Sequence, residues 1–187
     1  MNEVTETYRA ARDGLLALRG RQAEACETFA WPDLGERFNW AVDWFDAIAR
    51  GNDRPAVIVA EEDGTSVTRT FDEMAHRSDQ LAAWLLQHGV RRGDPVILML
   101  DNQVELWETM LAVMKAGAVI MPTTTALQSA ALRDRIARGR ARHVVCNAAD
   151  TATFDDVPGE YSRFSVGAAD GWLDLRRAFD LADPDVP

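Results

Sequence analysis

The sequence predicts an α/β fold: a parallel sheet with helices on both faces, preceded by an antiparallel hairpin and a leading helix. Two observations carry this. From Asp72 onward, helical apolar periodicities alternate with short strand-like runs, "PVILML", "AVIM", "HVVCNA" and "YSRFSV". Strands separated by helices of that length need right-handed crossovers and therefore lie parallel. Upstream, two β-rich runs flank Asp63-Gly64 in "PAVIVAEEDGTSVTRTF", a strong hairpin signal.

The elements follow in order. Val4, Tyr8, Ala11, Leu15 and Leu18 repeat at helical spacing within a helical stretch from Thr5 to Phe29. "WPDLGERFNWAVDWFDAIARGND" carries a Pro-Asp turn and a short amphipathic helix over 39–50. Its Trp31, Trp40, Trp44 and Phe45 suit core or interface packing better than a substrate tunnel. Met74, Ser78, Leu81 and Leu85 form the stripe of the next helix, which ends at Gly89. Strand 95–100 is apolar throughout, as a strand buried on both faces must be. Asp101 and Asn102 are placed to cap a helix over 103–116, where Val104, Trp107, Leu111 and Met114 repeat. Gly117 is suited to the left-handed conformation that closes a helix. Strand 118–121, a helix over 128–139, strand 143–147, a short helix near 151–156 and strand 161–166 complete the alternation. A short helix in "GWLDLRRAFD" and a polar, proline-broken tail end the chain.

Composition bounds the function. The chain has 187 residues, 47% of them hydrophobic, enough for a real core. A net charge of −10 argues against nucleic acid, whose phosphates need a basic surface. No stretch is apolar enough to span a bilayer, and the N-terminus lacks a signal-peptide pattern. Cys26 and Cys146 are far apart and unpatterned, which fits a reducing, cytoplasmic setting. Lys115 is the only lysine; the other cations are arginines.

Familiar catalytic motifs are missing. No G-x-G-x-x-G follows a strand, no G-x-S-x-G is present, and no glycine-rich loop leads into a lysine. Asp101 at a strand exit resembles a phospho-accepting aspartate, but the lysine such a site needs after a late strand is absent. His143 and Cys146 are three apart on one strand, so they face opposite ways and cannot share a metal. His76 and His88 belong to a surface helix. No metal ligand set is expected.

Whole stretches carry more information. "RTFDEMAHRSDQLAAWLLQHGVRRGDPVILML" resembles the first core motif region of the adenylate-forming superfamily. "ELWETMLAVMKAGAVIMP" resembles its second, a helix ending in Lys-Ala-Gly and a strand closed by proline. With "RFNWAVDWFDAIA", "LRDRIARGRARHVVCN" and "DGWLDLRRAF", the likeness extends over residues 36–181 and is greatest to medium-chain acyl-CoA synthetases. The resemblance implies a domain plan: a helical extension at 1–30, then at 31–187 an N-terminal synthetase subdomain ending before the phosphate loop. It also implies two-step chemistry. A carboxylate attacks the α-phosphate of Mg-ATP, and coenzyme A then displaces AMP from the acyl-adenylate. The family's phosphate loop, nucleotide aspartate and mobile lysine all lie beyond this sequence. No catalytic residue is therefore expected here, and the remainder of the synthetase chain would be the partner that binds ATP, Mg and carboxylate.

The resemblance also points to a site. In the medium-chain subgroup, a glutamine just past the strand-ending proline contacts coenzyme A. Here Ala126 holds that place, with Gln128 two residues on. Thr124 aligns with a family threonine and is flanked by Thr123 and Thr125. Thr123, Thr124, Thr125 and Gln128 are thus the candidate cofactor-binding residues. A threonine hydroxyl here either meets pantetheine or caps the following helix, and local chemistry favours the cap. Arginines 133, 135, 138, 140 and 142 either attract coenzyme A phosphates or, more simply, suit a solvated helix end. Two functional readings remain open: part of an AMP-forming acyl-CoA synthetase, inactive alone, or a stand-alone binding or assembly module on the same subdomain. In the first case apolar surface meant for a neighbouring subdomain would be exposed, and a homodimer is the simplest way to cover it.

Overall fold

The computed structural model describes residues 2–181. The chain divides into two compact units, Met1–Ala49 and Arg50–Pro187, each described by itself. The expected tail beyond Leu181 lies outside the described residues.

In the first unit the helical stretch is broken in two. Helix α1 spans Glu3–Ala17, and α2 spans Gln22–Thr28. The Asn2 side chain accepts the Thr5 N–H at 2.8 Å and caps α1. Between the helices Gly20 takes φ +80°, a left-handed turn that no continuous helix contains. The tryptophan-rich helix is a π-helix over Trp40–Asp46, running into a single α-turn, α3, at Ala47–Ala49. Asn39 organises its start: the side chain accepts the Ala41 N–H at 3.0 Å, and its own N–H donates to Asp43 Oδ2 at 2.7 Å. Tyr8 stacks on Phe38 and Trp31 and tilts against Trp44. Trp44 and Phe45 are buried, as core packing requires, whereas Trp31 and Trp40 are exposed.

The second unit begins with the hairpin. Strands β1, Pro55–Ala60, and β2, Ser66–Thr70, pair antiparallel. Asp63 ties the turn by accepting the Thr65 N–H and hydroxyl at 2.9 and 2.7 Å, while Gly64 supplies φ +86°. The hairpin is a sheet of its own and shares no ladder with the parallel strands. Helix α4, Phe71–Gln87, starts on a reciprocal cap: Thr70 takes the Glu73 N–H, and Glu73 takes that of Thr70.

Five parallel strands follow, in the order β4-β3-β5-β6-β7. These are β3 Pro95–Met99, β4 Val119–Pro122, β5 His143–Asn147, β6 Ser162–Val166 and the short β7 Leu173–Asp174. The last lies in the segment expected to be helical, which is instead two strand residues and a 3₁₀ turn at Leu175–Asp180. The helix expected near 151–156 is likewise 3₁₀, at Ala148–Phe154.

Side chains alternate across the sheet and build two cores. Val96, Leu98, Val145, Phe164 and Val166 pack with α4 and with α5, Val104–Lys115. Ile97, Met99, Val144 and Cys146 pack on the opposite face with Leu132 and Ile136 of α6, Ser129–Gly139. His143 stacks on Phe164 of the first core and Cys146 sits in the second, so the two do face opposite ways. Trp107, expected on the buried stripe of α5, is exposed.

Charges are buried where α4 meets α5. Lys115 Nζ, on a fully buried side chain, donates to Asp79 Oδ1 at 2.6 Å and to the Ala75 carbonyl at 3.1 Å. Glu108 is also fully buried; the Arg77 guanidinium grips both its oxygens, and Arg69 Nε lies 3.5 Å away. Two glycines differ in purpose. Gly117 takes φ +69° after α5, as expected of a left-handed closure. Gly139 stays helical, and Arg140 takes the left-handed cap at φ +50°. A Cβ at Gly139 would come 2.2 Å from Met121 Cε, the mobile end of a flexible side chain that would have to move aside.

Candidate functional site: the carboxyl edge of the parallel sheet

The order of crossovers selects one edge. Chain β3–α5–β4 moves outward over one face; β4–α6–β5 then returns past β3 over the other. The strand direction of winding therefore reverses at β3, and ligands of such sheets sit beyond the carboxyl ends at that reversal. Three segments meet there: Asp101 after β3, the threonines after β4 and Asn147 at the end of β5.

Asp101 does not cap α5. The N-cap is Gln103, which makes no side-chain cap bond; Asp101 gives only its carbonyl, to the Gln103 N–H at 2.8 Å. Its carboxylate turns to neighbouring strands instead, accepting Thr125 Oγ1–H at 2.8 Å and Asn147 Nδ2–H at 3.4 Å. No threonine caps α6 either. Thr123 is buried and donates to the Met121 carbonyl at 3.0 Å. Thr124 is exposed, and its hydroxyl accepts the Ala126 N–H at 3.3 Å. Gln128 is itself the N-cap of α6, with an exposed side chain that makes no cap bond. Its carbonyl accepts the Ala131 and Leu132 N–H groups. The physical reason is distance along the chain: Ser129 opens the helix, leaving the threonines in a turn of their own. The structure thus keeps Thr124, Thr125 and Gln128 on one loop and turns Thr123 inward.

The arginine row does not converge. Arg135 donates to the Pro122 carbonyl, and Arg133 donates to the Asp156 carbonyl at 2.8 Å. Arg138 pairs with Asp134 in its own helix. Arg142 pairs with Asp94 at 3.4 Å, at the amino edge of the sheet, away from the threonines. There Asp94 Oδ2 also meets His143 Nε2 at 3.2 Å. Burial pushes the Asp94 carboxyl up, but the His143 hydrogen bond, the Arg91 N–H and the Arg142 charge outweigh it and hold it below the usual value. Burial, aided by Asp150, pushes the Cys146 thiol up to about 12.

One feature was not legible in the sequence. A cleft of about 460 Å³ opens between the hairpin, the start of α5 and the ends of β5 and β6. It carries Arg69, Arg77 and Arg176 against Glu61, Glu105 and Glu108. Arg176 pairs with Glu105 at 3.1 Å. Its residues come from hairpin, helices and strand ends, and no local pattern joins them.

Lys115 is held by Asp79 inside the helix pair, so no lysine is available to a triphosphate. Among the described residues no group of three or more His, Cys, Asp or Glu is placed to hold a metal ion.

A doubly wound parallel sheet with helices on both faces defines an α/β subdomain. The family follows from comparison. The AMP-binding enzyme model matches residues 44–172, and the chain belongs to that family. It is 29% identical over 181 residues to the mitochondrial acyl-coenzyme A synthetase ACSM5 of Rattus norvegicus, covering 87% of this chain and 31% of the relative. It is 25% identical over 155 residues to 4-hydroxybutyrate–CoA ligase 1 of Metallosphaera sedula, covering 80% and 28%. The acyl-CoA synthetase of Brucella canis superposes with a TM-score of 0.73 at 24% identity, over 91% of this chain and 32% of that one. The last likeness is one of fold. The chain thus spans 28–31% of the length of these curated relatives. No helix among the described residues is long and apolar enough to cross a membrane.

Proposed function

We propose that this chain is the N-terminal part of an AMP-forming acyl-CoA ligase, joining a carboxylate to coenzyme A at the expense of ATP, and that it does not catalyse by itself. The observation that carries the reading is Lys115. The sequence has one lysine, and its ammonium is committed to Asp79 and Ala75 within the α4–α5 pair. A triphosphate in reaction needs preorganised positive charge, and the described residues offer no lysine for it. ATP, Mg and the carboxylate would be held by the remainder of the synthetase chain, packed against residues 31–187, with 1–30 as a helical extension.

On this reading Thr124, Thr125 and Gln128 face coenzyme A, with Thr123 fixing the loop from below. Support comes from their place at the carboxyl edge and from the exposure of Thr124 and Gln128. What the chain does here is bind and orient; no proton or bond is moved by its own residues. A cytoplasmic site is supported by two cysteines that are both free. Exposed Val119 on edge strand β4, and Ile58 and Val67 on the hairpin, support coverage by the next subdomain or, without it, by a second copy.

The test is the reading frame past the codon for Pro187. The proposal expects a Ser/Thr/Gly-rich loop soon after it and a lysine much later. A stop codon there, in an intact natural transcript, overturns it.

A further inference from the structure

The hairpin and the segment 175–181 share no ladder and no helix, yet both reach one buried carboxylate. Glu108 of α5 has a fully buried side chain, where an unpaired charge would be costly. Arg77 of α4 holds both of its oxygens, Nε on Oε1 and Nη2 on Oε2 at 3.3 Å. Arg69 of β2 brings its Nε to 3.5 Å from Oε1. One face of the Arg77 guanidinium is covered by Phe179, whose ring centroid lies 3.6 Å from Cζ. Gln80, also on α4, donates from Nε2 to the Leu181 carbonyl at 2.7 Å and to that of Phe179 at 3.4 Å. We propose that Arg77 and Glu108 form a shared anchor that couples the hairpin to residues 175–181, so that displacing either loosens the other.

Packing gives the two elements no core in common. Of the hairpin's strand residues only Val59 is buried, and neither core includes it. Phe179 and Leu181, by contrast, pack on the first core. A two-stranded ribbon is marginal in water by itself, so an anchor from Arg69 to a buried carboxylate matters more here than on a core strand. The geometry of Arg77 makes the link two-way. Its hydrogen bonds to Glu108 act in the guanidinium plane, whereas Phe179 sits against the face, and together they fix both position and tilt. Without the ring, that face regains water, the guanidinium tilts more freely, and Glu108 depends more on Arg69. Without Arg69, the whole charge of Glu108 falls on Arg77 and draws it off the ring. A second pair follows the same path: Arg176 of the segment meets Glu105 at 3.1 Å, one turn before Glu108 on α5.

Amide hydrogen exchange on the 187-residue chain reads the coupling in both directions. The hairpin reporters are Glu61, bonded to the Thr65 carbonyl at 2.9 Å, and Phe71, bonded to that of Arg54 at 3.0 Å. The segment's reporter is Leu181, bonded to the Ala178 carbonyl at 3.2 Å. Phe179→Leu stays apolar but removes the ring, and it should speed exchange at Glu61 and Phe71 about fivefold, the size of one cation–π contact. Arg69→Met keeps the stem and removes the charge, and it should speed Leu181 by a similar factor, because coupling is reciprocal. Arg69→Lys restores a cation and should bring Leu181 most of the way back. In Glu108→Gln the link is cut, so adding Phe179→Leu should leave Glu61 and Phe71 as they are in Glu108→Gln alone. If Glu108→Gln does not fold, the Phe179 and Arg69 variants decide by themselves. Acceleration confined to the side that carries the substitution overturns the proposal. So does equal acceleration at Val144 and Val145 of central strand β5, which would mean general loosening. Neither result touches the ligase reading, which is decided by the frame beyond Pro187.

Discussion

Replacing Lys115 by methionine isolates the energetics of the buried helix pair. The variant keeps most of the apolar stem and removes the ammonium that lies 2.6 Å from Asp79 Oδ1. Asp79 is left with a side chain only 11% exposed and with the Arg50 guanidinium at 2.8 Å. Breaking a buried pair by removing one partner costs about 3–5 kcal/mol. Arg50 is more than half exposed, so its screened attraction offsets only part of that. The expected loss is therefore ~2–3 kcal/mol, a large fraction of the 5–15 kcal/mol (roughly) that domains hold. Lys115→Met/Asp79→Leu should recover most of it, since replacing both charges by apolar groups of similar volume is often neutral. Urea melts with unchanged slope give the difference directly. A single variant within about 0.5 kcal/mol of the parent, or a double variant no better than the single, would refute the reasoning.

Further outcomes follow from the same structure. In a thiol-exchange assay near pH 8, exposed Cys26 should react fast, while Cys146, buried and raised to about 12, should react only on unfolding. Two fast thiols would contradict that burial. Asp94 has a folded-state value below the ordinary 3.8, so its carboxylate contributes stability above that pH and loses it as pH falls through the folded value. Asp94→Asn should therefore lower stability at neutral pH and flatten the acid limb of a stability–pH curve; an unchanged acid limb would count against the Asp94–His143–Arg142 cluster. Gly117→Ala forces a Cβ at φ +69° within 3.1 Å of Arg92 Cγ and should cost about 1–2 kcal/mol. Arg140→Gly, at φ +50°, should cost nothing or gain up to about 1 kcal/mol, and thermal melts of the pair distinguish the two signs.

The regular part of the fold was legible because its signals are local. "PVILML" and the Val144-Val145-Cys146 run are apolar at successive positions, as a doubly covered strand is, and both strands lie inside the sheet. Gly89 and Gly117 mark helix ends by their backbone alone. Thr70-Phe71-Asp72-Glu73 carries the start signal of α4 in its Thr-x-x-Glu spacing, which the reciprocal cap realises. The split of the leading helix was less legible, since glycine inside a helical pattern is sometimes tolerated. The π-helix at Trp40–Asp46 leaves the same apolar stripe as an α-helix over so short a span.

At the candidate site the threonines could be singled out, but not their partners. Asp101 reads as a helix cap because Asp before a helix usually is one. What decides otherwise is Thr125, 24 residues away, and Asn147, 46 away, which the sheet order brings to its side. Arg176 and Glu105 meet across 71 residues in the cleft for the same reason. Long-range pairs of this kind come from topology, and no spacing along the chain encodes them.

The central claim is that this chain supplies scaffold and ligand edge to an acyl-CoA ligase whose nucleotide chemistry resides in the rest of the protein. Carboxylate-dependent ATP–pyrophosphate exchange tests it most directly, measured on the purified 187-residue chain and on the same chain continued through its reading frame. The account predicts no exchange by the shorter protein, because its one lysine, Lys115, is bound to Asp79, and exchange by the longer one. Exchange by the shorter chain, or none by the longer one with any carboxylate, would contradict it.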